Sequence, residues 1–331
     1  MISGVRRSDL GSIGGGPWRG LALAAEGPRQ PGLRVEVTAG RRLLLRQADR
    51  VVLLGHVADD HRGVAFWRTG LYRSPLAPLR AEQARTLAGP ADVWYTRWAH
   101  YLAGEIAACT QGPLHTGRWV LTRSPGVDTA AGGPRSPQQR RARLLVDGDP
   151  DGWIDWPGTP AGRSTRGAGD GPGGVLALRR LSDPDDGRVR AYRRLAREQI
   201  LPPVLLWWIS GLDCHVVLDG HDRLVAALAE GTEPAVLTLA TALHTDAARQ
   251  RIDTDLDRHG TAVSRINREA AAGTPGAADA RAGIDGWLAG TFAGTETAYG
   301  PTRAWPLPGG APAWHRAAAI APDWTTKVDP A

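Results

Sequence analysis

Lysine, cysteine and long apolar runs are nearly missing from this chain of 331 residues. Lys327 is the only lysine, so 39 of the 40 positive charges are arginines. Cys109 and Cys214 are too few and too isolated for a disulfide framework or a zinc site, which leaves reduced thiols and the expectation of a cytoplasmic protein. No window approaches 18 consecutive apolar residues, so no helix-type membrane span is expected. The start carries Arg6-Arg7, but residues 11–16 place glycines where a signal peptide needs an apolar core. Neither a Gly-x-Ser-x-Gly elbow nor a Walker-type loop occurs, which sets aside the common hydrolase and P-loop readings.

Glycine, proline and arginine fill the space. The 42 glycines and 25 prolines make about a fifth of the chain, below the roughly quarter-to-third level of wholesale disorder. With the abundant arginine and alanine, this is the residue usage of a very GC-rich bacterial genome. The net charge of +6 is modest for the length, and nucleic-acid binding would need it gathered on one face.

Residues 1–32 are rich in Gly, Pro and Arg and read as a flexible arm. An N-terminal α+β region is expected at 33–123, with β runs at 33–37, 42–46, 51–57 and 63–67 and a helix at 79–87. A second helix carries Trp94, Trp98, Tyr101, Leu102 and Ile106 at helical spacing. That stripe can stack bases, but such a stripe is more often core. A strand follows at 119–121. Residues 124–171 form a loop-rich linker. From 175 to 241 the order is strand, helix, strand, strand, helix, strand. A helical extension is expected at 243–299, with helices at 245–259, 263–271 and 277–288. The tail at 300–331, rich in Pro and Trp, reads as irregular.

The strand Val216-Val217-Leu218 runs straight into Asp219-Gly220-His221-Asp222-Arg223, and a helical pattern begins at once. A helix start presents free backbone N–H groups, a ready anion site. Gly220 lets the backbone come close to an anion. Arg223 can give bidentate hydrogen bonds to phosphate. His221 can bind phosphate when protonated or pass a proton. Asp219 can hold magnesium or orient an attacking hydroxyl. The bland alternative is that Asp219 and Asp222 cap a helix while Arg223 pairs with one of them.

Residues 175–239 resemble the ParB/sulfiredoxin superfamily, also called the ParB-like nuclease domain. The likeness rests on a first strand, Val175-Leu176-Ala177-Leu178, and a polar turn ending in Gly187-Arg188. It continues through a proline-started strand, Leu201-Pro202-Pro203-Val204-Leu205-Leu206, and then the Asp219–Arg223 turn, similar to the family's Asp-Gly-His-His-Arg. It covers about a fifth of the chain. Sulfiredoxins carry a catalytic cysteine in this turn, where this chain has His221. Partitioning ParB proteins carry Gly-Glu-Arg-Arg and a following helix-turn-helix, which the pattern at 243–272 lacks. The nearest branch includes nucleotide-dependent kinases that phosphorylate free serine, with Asp222 here replacing the second histidine.

The resemblance implies a mixed α/β fold class (α+β) with a ParB/sulfiredoxin-like domain at 172–242. It also implies nucleotide binding (ATP, ADP or CTP with Mg2+) and phosphoryl transfer to a small hydroxyl substrate. Asp219 and His221 become the candidate catalytic groups, Asp219 the candidate metal ligand, and Gly220, His221, Asp222, Arg223 and Arg188 the candidate phosphate ligands. An extra carboxylate at Asp222 repels phosphate unless a cation sits between them. The alternative is a non-catalytic scaffold that binds a protein or DNA partner.

Three weaker patterns complete the reading. Asp147, Asp149, Asp151 and Asp155 alternate as in a calcium loop, but Gly158 stands where the bidentate Glu belongs, so a polar turn is expected. His56 and His61 flank Asp59-Asp60 without a third partner at recognisable spacing. Asp253, Asp255 and Asp257 read as one charged helix face.

Overall fold

A computed structural model describes residues 4–11, 18–57, 64–123, 153–154, 175–212, 214–272 and 274–328. Within them the chain is a mixed α/β protein built on two sheets. The large sheet has the order β1 (Gly4–Leu10), β2 (Gly20–Glu26), β7 (Gly117–Thr122), β12 (Val236–Thr241), β10 (Val204–Ile209), β11 (Cys214–Asp219), β9 (Val175–Ala177) and β8 (Trp153–Ile154). The small sheet has the order β13 (Ala304–Pro306), β3 (Leu33–Thr38), β4 (Arg42–Gln47), β5 (Arg50–Val57) and β6 (Val64–Arg68). In the large sheet β10 lies parallel to β12 and β11 parallel to β9, while β10 and β11 are antiparallel.

Strand alternation sends side chains to two cores. Leu205, Trp207 and Ile209 of β10 and Cys214, Val216 and Leu218 of β11 share one core with Leu33, Leu45 and Phe66 of the small sheet. Helix α2 (Ala91–Ala108) drives its stripe into the same core. Trp98, Leu102 and Ile106 are fully buried and Trp94 nearly so, so the aromatic stripe is packing. Each such side chain contributes about 1.5–3 kcal/mol by burial. Val204, Leu206 and Val217 point the other way, onto Leu224 of α4 (His221–Ala229). Helix α3 (Gly187–Arg197) packs beside α4 through Val189, Tyr192 and Leu195.

The expected flexible arm is instead strands. Residues 4–10 and 20–26 are β1 and β2, and β2 pairs with β7. The glycine-rich composition masked the alternation of Leu21, Leu23 and Ala25, all buried. The large sheet therefore joins the N-terminal region to the 175–241 segment, with Leu121 opposite Leu239.

The tail is not irregular either. Residues 304–306 form β13 beside β3, and α7 (Gly310–Ala318) and α8 (Pro322–Val328) follow. Pro312 and Pro322 stand in first helical turns, where a missing N–H costs nothing. Trp314 of α7 is fully buried, donates from Nε1 to the Leu43 carbonyl at 3.0 Å, and closes a core with Leu44, Leu54 and Leu307 on the outer face of the small sheet.

Helix α5 (Thr245–Ala271) is one helix where two were expected, and α6 (Ala277–Thr297) extends past 288. Gly260 falls in the gap between the two expected helices, but a helical glycine costs only about 1 kcal/mol, and α5 packs along α6. On α5, Asp253 and Asp257 are exposed while Asp255 is buried and paired with Arg258 at 3.2 Å, so the three aspartates do not form one solvated face. No helix among the described residues is long and apolar enough to cross a membrane.

Candidate functional site

Strand β11 ends at Asp219, and Gly220 turns the chain with φ 95° and ψ 25° before α4 begins. Left-handed backbone of this kind strains any L side chain. A Cβ at Gly220 would also stand 2.7 Å from Nη2 of Arg223, whose guanidinium folds over the turn. The Leu224 N–H donates to the Gly220 carbonyl at 2.8 Å and opens the helix. No side chain caps this end, so the first-turn amides of His221, Asp222 and Arg223 have no intrahelical acceptor.

Asp219 and Arg223 form a buried pair. Arg223 Nη2 donates to Asp219 Oδ2 at 2.8 Å and to the Pro203 carbonyl at 3.0 Å. The second oxygen, Asp219 Oδ1, accepts from the Ser74 hydroxyl. Ser74 belongs to the link between β6 and α1 (Ala81–Thr86), 145 positions away in the chain.

Three anchors fix that link. The Tyr72 hydroxyl donates to the Leu218 carbonyl at 2.5 Å. The buried Gln47 amide clamps the Arg73 backbone, donating to its carbonyl at 2.7 Å and accepting from its N–H at 3.0 Å. The Cys109 thiol donates to the Pro75 carbonyl at 3.0 Å.

Asp222 is held from the other side. Arg179, just beyond β9, donates to Asp222 Oδ1 at 2.6 Å, and the Ser182 hydroxyl donates to the same oxygen at 2.7 Å. Arg188 Nη1 stands 3.5 Å from Asp222 Oδ2. Helix α3 also starts here, with Asp186 at its N-cap making no side-chain cap bond. These parts form a cavity of about 530 Å³ lined by Tyr72, Arg73, Ser74, Arg179, Ser182, Asp186, Gly187, Arg188, Tyr192 and Asp219 through Arg223. Four arginines and three aspartates thus line it together with two helix N-termini.

Burial pushes the His221 imidazole well below its ordinary pKa, Arg179 adds to the shift, and Asp222 opposes it. His221 is therefore neutral at pH 7, and its Nε2 is buried with no hydrogen-bond partner among the described residues. The ring lies 5.9 Å from that of Tyr72. Burial and the nearby Asp219 charge hold the Tyr72 phenol well above its usual value. For Asp222, burial works against ionisation, but hydrogen bonds from Ser182 and Arg179 and the charge of Arg188 outweigh it and lower its pKa.

All of Asp219, Gly220, His221, Asp222, Arg223 and Arg188 thus meet at one cavity. Arg223 is 2% exposed and bound to Asp219, so its Nη2 is committed inside the protein. Both carboxylates carry guanidinium and hydroxyl donors, and no group of three metal-ligating side chains occurs among the described residues. The cation beside Asp222 is Arg179.

Sequence reasoning missed Tyr72, Ser74, Arg179, Ser182 and Gln47. Arg179 and Ser182 sit in the polar turn after the first strand of the resemblance, a local signal that was readable. Tyr72 and Ser74 carry none. Of the remaining candidates, His56 is buried near Trp314, with ring centroids 6.3 Å apart. His61, Asp59 and Asp60 lie outside the described residues, as do Asp147, Asp149, Asp151 and Asp155 of the calcium-like stretch.

The chain matches no known protein family, no curated protein and no solved structure.

Proposed function

We propose that this cavity holds the phosphates of a nucleotide, the reading that the resemblance of residues 175–239 to the ParB/sulfiredoxin superfamily implies. One observation carries it. The uncapped N-termini of α3 and α4 and the side chains of Arg73, Arg179 and Arg188 converge on a single cavity of about 530 Å³. Each helix N-terminus acts as roughly half a positive charge with donors already aimed. The volume falls in the usual range for small-molecule sites. Arg179 and Arg188 offset the Asp222 charge, so the extra carboxylate does not close the site to anions.

The reaction class is phosphoryl transfer from the nucleotide to a small hydroxyl compound. Asp219 takes the hydroxyl proton, as an aspartate does in kinases. Neutral His221 accepts a proton only once an incoming phosphate raises its basicity. Magnesium, where required, arrives with the nucleotide, bound to its phosphates.

Calorimetric titration of the full chain with ATP, ADP and CTP plus magnesium tests this directly. Binding of at least one is expected, and folded protein that takes up none of them ends the proposal. The alternative, a scaffold for DNA or a protein partner, draws on Arg190 and Arg194, exposed on α3. It predicts silent nucleotide titrations and duplex DNA binding that falls steeply with salt.

A further inference from the structure

The geometry points to Ser74 as the nucleophile of this cavity, with Asp219 as its base and a nucleoside triphosphate as its phosphoryl donor. The choice of donor rests on the nucleotide reading above, with Ser74 standing in place of the small hydroxyl compound as acceptor; the nucleophile itself rests on the bonds around Ser74. A hydroxyl becomes a nucleophile when a base lies within hydrogen-bond reach and a third group orients the base. Ser74 donates to Asp219 Oδ1, and Arg223 Nη2 holds the opposite oxygen at 2.8 Å. Arg223 is itself fixed, 2% exposed and bound to the Pro203 carbonyl at 3.0 Å.

Ser74 is not the only anchor of its link, although its Oγ also accepts from the Leu76 N–H at 3.4 Å. Tyr72, Gln47 and Cys109 already hold the link on both sides of Ser74. Ser74 also differs from Ser182, the other hydroxyl in the cavity. Ser182 donates to Asp222, which is ion-paired with Arg179 at 2.6 Å. Arg179 also donates to that oxygen, so its lone pairs are shared between two donors. Asp219 Oδ1 has Ser74 as its side-chain donor. Ser74 lines the cavity together with Gly220 and His221, at the start of α4, so an anion on that helix end stands against the Ser74 hydroxyl.

In the step, Ser74 Oγ attacks the terminal phosphorus of the triphosphate. The Oγ–P bond forms as the bond from that phosphorus to the bridging oxygen breaks. The electron pair leaves with the nucleoside diphosphate, and the serine proton passes to Asp219. The products are phosphoserine at 74, the diphosphate and a proton. Arg179 and the α4 amides face the charge that spreads over the transferred group.

Two arms on the full chain separate this inference from the nucleotide reading. In the first, a fluorophosphonate probe, which needs no nucleotide, is reacted with the protein and the label is mapped by peptide mass spectrometry. Labelling at Ser74 is expected about a hundredfold faster than at Ser182 or Ser210, the scale of general-base assistance. Asp219→Asn, which keeps an acceptor oxygen, should abolish the advantage; if that variant does not fold, the site of labelling in the wild-type chain decides alone. In the second arm, the chain is incubated with ATP or CTP and magnesium while binding is followed by calorimetry, and phosphoryl gain is mapped. Label and phosphoryl group both on Ser74 support the inference. Nucleotide binding with Ser74 unmodified in both arms overturns it and leaves the binding reading standing. Label on Ser74 with no nucleotide bound keeps the nucleophile and refutes the nucleotide as its donor.

Discussion

Replacing Arg223 by alanine removes a guanidinium that is 2% exposed and leaves the Asp219 carboxylate, 5% exposed, with Ser74 as its side-chain donor. Breaking a buried ion pair from one side costs about 3–5 kcal/mol, because the remaining charge stays desolvated and unpaired. Asp219→Ala should cost a similar amount, since Arg223 would keep only the Pro203 carbonyl as acceptor for Nη2. The double variant removes both charges at once. It should cost at most about 1 kcal/mol more than either single change, leaving a coupling of about 2–4 kcal/mol between the two sites. Urea unfolding at pH 7, without nucleotide, measures all four proteins, and an unchanged m-value keeps the comparison valid. Additivity within about 0.5 kcal/mol would mean that Arg223 does not serve Asp219. The assignment of Arg223 as the group orienting the base would then be wrong.

Two further outcomes follow from the same turn. Gly220→Ala should destabilise by at least about 1–2 kcal/mol for the left-handed backbone, because its Cβ would also push against the Arg223 guanidinium. Gly187→Ala, with nothing within 4 Å of its Cβ, should be neutral or stabilising by about 0.4–1 kcal/mol; equal losses at both glycines would contradict the turn geometry. Burial lowers the pKa of His221 and of His115 below the ordinary histidine value of 6.5, so the unfolded chain binds more protons than the folded one between the folded and unfolded values. Stability from these groups is full above pH 6.5 and should fall by up to about 1.4 kcal/mol per pH unit for each group as the pH drops. Asp222, depressed from 3.8, adds a further loss at still lower pH. His221→Asn should flatten the upper slope, and an unchanged slope in chemical unfolding between pH 5 and 7 would show that His221 is not buried in neutral form.

The 175–241 segment was readable because its signals are local. Apolar alternation marks β10 and β11, glycine marks the turn, and a helical period follows at once. The grouping of Asp219, His221 and Asp222 was readable for the same reason, while Arg188 was singled out only through the resemblance. The partners of those residues were not. Ser74 meets Asp219 across 145 positions and Gln47 clamps Arg73 across 26, and no local pattern encodes either contact. Composition misled in two places. Glycines around 11–16 hid two strands, and prolines at 312 and 322 suggested an irregular tail where they open helices. The expected gap between helices at 260–262 is bridged where α5 packs on α6. Arg223 reads as a phosphate ligand from its residue type and from the resemblance; in the structure it is buried and paired with Asp219.

In the proposed function, the cavity between the starts of α3 and α4 binds phosphate through Arg179. Calorimetric titration of ATP or CTP with magnesium into the wild-type chain and into Arg179→Ala, side by side, puts this to the test. Saturable binding to the wild type is expected, with an affinity lower by about tenfold or more in the variant, the worth of a charge-assisted hydrogen bond of about 1.5–3 kcal/mol. Equal affinities in the two proteins, or no binding to folded wild-type protein, would contradict it.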